Sequence, residues 1–144
     1  MRTRLKAALA LVALTALPLA ASGEPVGPFC FSTAPFPDIF EWFFEAGAGS
    51  NFVITGRDLS GGRPMSAFGY VGGDTFHLGY NTYPDAMHAP VIGGASIDLN
   101  TLSGPGLCFA PDLESCGEFT IALIECPPPA AARDRVRRAQ GQPQ

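Results

Sequence analysis

The chain is predicted to be all-β: a small antiparallel meander barrel of about six to eight strands, or a sandwich. Three observations predict this class. Turn signals recur in AGAGSN at 46–51, SGGRP at 60–64, VGGD at 71–74, NTYPD at 81–85 and SGPG at 103–106. The short runs between them are rich in aromatic and β-branched residues and alternate apolar with polar. No segment between the turns carries a convincing helical period.

The N-terminus precedes this pattern. MRTRLKAALALVALTALPLAASGEP places Arg2, Arg4 and Lys6 before an apolar run at 7–17, followed by small residues at 20–23. That is the layout of a cleaved secretory signal, and the run is too short to span about 30 Å of hydrocarbon. Residues 1–23 are therefore expected to be a signal helix, 24–126 a single domain, and 127–144 a disordered Pro-, Ala- and Arg-rich tail. Secretion or periplasmic residence follows. Lys6 is the only lysine among many Ala, Arg and Gly residues, a bias that fits a GC-rich bacterial genome.

The first strongly patterned stretch is PDIFEWFFEAGAGSNFVITG at 37–56. A helix over 38–46 has some support, because Asp38 and Glu41 make a capping box and Gly47 can end a last turn. A strand places Phe40, Trp42 and Phe44 on one face with Glu41 and Glu45 on the other. Aromatic enrichment and the Gly-rich turn into NFVIT favour the strand.

The same alternation continues through RPMSAFGYV, DTFHLGYNTY, GGASIDLN and GEFTIALIEC. Parity sends Phe40, Trp42, Phe44, Phe52, Ile54, Phe76, Leu78, Tyr80, Ile97, Leu99, Phe119, Ile121 and Leu123 inward. Glu41, Glu45, Thr55, Thr75, His77, Asn81, Ser96, Asp98 and Thr120 then face water. An eight-stranded barrel has room for packed side chains or for one small ligand. This many large inward residues favour filling.

Cys30, Cys108, Cys116 and Cys126 all lie in the exported part, and an even count there reads as two disulfides. Four cysteines allow three pairings. Cys30 with Cys126 joins the first element to the last, which suits a closed barrel. Cys108 with Cys116 closes the loop GLCFAPDLESCGE. Zinc is the rival use, but the spacing lacks a CxxC pair.

Catalytic signatures such as GxSxG, HExxH, GxGxxG or a phosphate-binding loop do not occur. On a strand Glu41 and Glu45 lie about 13 Å apart, beyond the roughly 5–10 Å of a glycosidase pair. The chain is read as non-enzymatic, and no cofactor or metal is expected. His77, His88 and Asp85 do not follow a metal-ligand spacing. The segment YNTYPDAMHAP at 80–90 mixes ring, amide, acidic and imidazole groups in one connection and is the candidate recognition loop. The candidate binding residues are thus Trp42, Tyr80, Tyr83, Asp85 and His88.

Residues 24–126 hold 12 acidic side chains against Arg57 and Arg63, a net of −10. Such a body repels nucleic acid and anionic lipid. The tail carries Arg133, Arg135, Arg137 and Arg138 against Asp134. It offers weak contact with anionic surfaces at about 1 kcal/mol per Arg, or it is simply solvated. No apolar run after the signal is long enough for a transmembrane helix.

Two functions are compatible with these features. The first is a disulfide-stabilised interaction or structural module with a protein partner, marked by an exposed patch at Phe31, Phe36 and Phe43. The second is a carrier of a small apolar ligand, held in a calyx near Trp42 and Tyr80.

Overall fold

The structure is a computed structural model and describes residues 24–84, 89–110 and 117–128. Eight strands make it up: β1 Val26–Ala34, β2 Ile39–Ala46, β3 Asn51–Asp58, β4 Pro64–Gly72, β5 Thr75–Thr82, β6 Ile92–Asp98, β7 Ser103–Phe109 and β8 Glu118–Ile124. Each pairs antiparallel with the next, and β8 pairs back onto β1, closing a meander barrel. The predicted class is the observed one. Residues 39–46 are strand rather than helix, with Phe44 opposite Ile54 across the AGAGSN turn.

Side chains fill the barrel. Trp42 is fully buried and its ring lies 4.7 Å from that of Phe31 and 5.8 Å from that of Phe40. Its Nε1 donates to Met65 Sδ at 3.2 Å. Phe44, Phe52 and Phe76 continue the stack towards one end, and Tyr80 meets Phe119 towards the other. Every inward residue assigned by parity is buried in this cluster, except Leu99 and Leu123, which are half-buried and pack against it.

Glycines let the wall curve around these rings. The Tyr80 ring covers Gly93 so closely that a Cβ there would lie 2.6 Å from its Oη. Phe119 covers Gly106 in the same way. A large ring over a bare glycine restores the packing the glycine forgoes and leaves the backbone free to bend.

One expected turn is strand instead, and a second begins later than expected. SGPG at 103–106 opens β7, and the preceding turn falls at 99–102, where the Asp98 carboxylate accepts from Asn100 N at 2.7 Å and Thr101 N at 3.1 Å. Gly104 is needed in that strand because the Ser96 carbonyl occupies the place of a Cβ. The β6–β7 ladder records no pair at Pro105, consistent with its missing N–H. Likewise Tyr80, Asn81 and Thr82 belong to β5, so the candidate loop begins only at Tyr83.

The Cys30–Cys126 disulfide is present. It lies in a small cluster with Ile39, Leu59 and Ile124, separate from the lumen. Cys108 is buried with a free thiol, and its expected partner Cys116 falls outside the described residues. The expected signal at 1–23 and most of the expected tail, from residue 129 on, also fall outside them. Among the described residues, no helix is long and apolar enough to cross a membrane. The lumen is apolar, and Glu41, Glu45, Arg57 and Glu118 stand outside it.

Candidate functional site

Of the five candidate binding residues, Trp42 and Tyr80 are core. Tyr80 is only 7 % exposed, with its ring between those of Phe40 and Phe119. Tyr83 is exposed just beyond β5, its backbone N–H bonded to Pro64 O at 3.0 Å and its hydroxyl 3.4 Å from Ser66 Oγ. Asp85 and His88 lie outside the described residues. Of the three candidates among the described residues, Trp42 and Tyr80 lie inside the barrel and Tyr83 outside it. The expected surface patch is also corrected: Phe31 is buried, and Phe36 and Phe43 are half-buried, with Phe36 packed on the core. Phe31 faces the lumen beside Trp42, because β1 alternates in phase with β2.

The exposed apolar surface lies on the opposite strands. On the outer wall, strand register aligns Val53 with Phe68, Phe68 with Gly79, Gly79 with Gly94, and Gly94 with Leu107. Val53, Phe68 and Leu107 are 50 %, 59 % and 41 % exposed. Above and below this row stand Tyr70 on β4, Ile92 on β6 and Phe109 on β7, all exposed. Gly79 and Gly94 carry nothing between the Phe68 and Leu107 walls, and the result is an open groove of ≈ 980 Å³. These outer glycines have no ring over them. They differ in this from Gly93 and Gly106, whose missing side chains are replaced by aromatic packing inside.

Two bonded polar pairs stand on this face. His77 Nδ1 lies 3.0 Å from Ser96 Oγ, and its ring packs on Tyr70 at a centroid distance of 5.0 Å. Ser66 Oγ donates to Asn81 Oδ1 at 2.7 Å. The His77–Ser96 contact has the residue types of a nucleophile and base. Among the described residues, however, no carboxylate bonds His77 to complete a triad. Nor do the described residues place three His, Cys, Asp or Glu side chains to hold a metal ion.

Charge is unevenly distributed around the wall. Throughout β4, β5, β6 and β7 the only Asp, Glu, Lys or Arg is Asp98, the last residue of β6, whose carboxylate is bonded to turn amides. Glu118 of β8 stands at the far edge of the groove, opposite Leu107. On the other side, Glu41 pairs with Arg57 at 2.8 Å across β2 and β3. The four-strand face is thus almost free of formal charge.

Sequence reasoning missed this face although its signal was available. Extending the parity rule to β4 puts Met65 and Ala67 inside and leaves Phe68 and Tyr70 outside. Reading SGPG as a turn concealed the same consequence for Leu107 and Phe109. A scan against family models finds no match. Comparison with curated proteins and with solved structures also finds none.

Proposed function

We propose that this protein is an exported, non-enzymatic interaction module, and that it docks a partner on the outer face of β4 to β7. One observation carries the reading. Phe68, Tyr70, Ile92, Leu107 and Phe109 are exposed together on a wall with almost no formal charge. Large contiguous apolar patches are uncommon on monomeric soluble proteins and mark sites of association. A rigid closed barrel, tied by Cys30–Cys126, holds the face in shape without a partner. Export is supported by the N-terminal pattern and by the disulfide, which persists in oxidising compartments. The carrier reading receives no support from the lumen, where Trp42, Phe44 and Tyr80 occupy the space a calyx would need.

Photo-crosslinking in the exported fraction of the host tests the proposal. A benzophenone residue replacing Phe68 or Leu107 is expected to give discrete adducts, and one replacing Glu45 is expected to give none. Equal labelling at all three positions, or no adduct at Phe68 and Leu107, overturns it.

A further inference from the structure

We infer that the occupant of this face is a second copy of the chain, seated about a two-fold axis so that each copy's Phe68–Tyr70 ridge lies over the other's Gly79–Gly94 trough. The inference rests on the docking proposal and names its partner.

Charge is the first argument. With a net of −10 over residues 24–126, two copies repel in most orientations. The face of β4 to β7 is where they can approach with the fewest carboxylates: Asp98 sits at its end and is held by turn amides, and Glu118 stands at the far rim beside Leu107, where it stays in water. A cationic partner finds no acidic partners in the middle of this wall. Burying its charges there would cost several kcal/mol each. Nucleic acid and anionic lipid are repelled by the acidic body as a whole. An uncharged surface of the same relief fits best, and the chain supplies one.

Relief is the second argument. Ridge and trough stand side by side on one wall: Phe68 is paired directly with Gly79, and Gly79 with Gly94. An isologous contact needs a surface that is complementary to itself, and a ridge adjoining a groove meets that condition. Rotation by half a turn sets each ridge opposite the other groove, with Leu107 closing its far side.

Area is the third. Four strands about 4.8 Å apart, each seven to nine residues long, present roughly 20 Å by 25 Å, or ~500 Å² of projected face per copy. Four of eight strands wrap half the barrel and curve away at the edges, so the pair buries at most ~1,000 Å² in total, the range of weak, transient interfaces. Such a dimer is reversible, and its affinity depends on a few aromatic contacts, Phe68 foremost.

Sedimentation equilibrium of the oxidised, signal-cleaved chain, from micromolar to near-millimolar concentration, tests the inference. A monomer–dimer equilibrium is expected. Phe68→Glu and Leu107→Glu should each raise the dimer dissociation constant by ~30-fold or more. Both side chains are exposed, so the monomer's thermal midpoint should stay unchanged, and Glu45→Gln should leave dimerisation intact. If either Glu variant fails to fold, the purified chain carrying benzophenone at position 68 replaces it, with crosslinks expected at β5 or β6 of the second copy. A monomer at every concentration overturns the inference, as does a dimer that both variants leave intact or a crosslink mapping to another wall. A monomeric chain that still gives discrete adducts of a different mass in the host fraction removes the second copy alone. The absence of both dimer and adduct removes the docking proposal as well.

Discussion

Trp42 shows how one side chain can invite two readings that burial then separates. A single tryptophan in an aromatic run is a common ligand platform, yet here its indole is enclosed by Phe31, Phe40 and Phe44, and its N–H is directed at Met65 Sδ. Deleting such a ring leaves a cavity the neighbouring rings can only partly fill. Trp42→Ala is therefore expected to lower the unfolding free energy by about 3–5 kcal/mol in a denaturant titration. A loss below ~1 kcal/mol, the range of a surface substitution, would show that the ring is not part of the packed lumen. Parity located this residue correctly because inward and outward positions alternate along a strand wherever the strand lies. Tyr83 had no such guide. It follows the last residue of β5, and alternation carries no information beyond the end of a strand.

The connection from β3 to β4 is specified closely by its own residues. Asp58 is 2 % exposed; its Oδ1 accepts from Ser60 N at 2.8 Å and its Oδ2 from Gly61 N at 3.3 Å. Arg63 Nη2 reaches Oδ2 at 3.4 Å, while Gly62, at φ +72°, turns the chain so that its N–H bonds Asp58 O at 2.7 Å. This loop also delivers Leu59 to the cluster around the disulfide. Asp58→Ala leaves two amides and a largely buried guanidinium without their acceptor and should cost about 3 kcal/mol. Asp58→Asn retains one amide acceptor and should cost less. Thermal melts of the two variants side by side check the order, and equal midpoints to wild type would exclude this role for the carboxylate. SGGRP marked a turn at this place, but the buried aspartate just before it was not singled out. Its role depends on Arg63 and on the barrel end closing above it. The SGPG segment shows the opposite limit. Glycine and proline usually punctuate strands, yet here Gly106 lies beneath Phe119 and Gly104 against the Ser96 carbonyl. A bare backbone was required by neighbours that are distant in sequence.

At the scale of the molecule, closure is the property that makes the docking face possible. Eight paired strands leave no open edge, so recognition falls to the wall and the loops. The Cys30–Cys126 bridge spans 96 residues and joins β1 to the segment just after β8. By constraining so long a loop in the unfolded chain, it should contribute about 2–4 kcal/mol. Reductant, or Cys30→Ala, is expected to lower the thermal midpoint accordingly, and an unchanged midpoint under full reduction would refute that contribution. The strand class, the meander order, most of the inward set and this pairing were legible in the sequence, because each follows from alternation, turn spacing or the proximity of first and last strands in a closed sheet; Phe31, expected at the surface, is the exception. The uncharged outer wall was not legible. Val53, Phe68, Gly79, Gly94 and Leu107 are separated by eleven to fifteen residues along the chain and are unremarkable individually. Only the cross-strand register sets them in one row, with charge confined to its margins at Asp98 and Glu118. Alternation is a local property of the chain and can be read along it; the composition of a wall is set by hydrogen-bonded neighbours and exists only in the closed barrel.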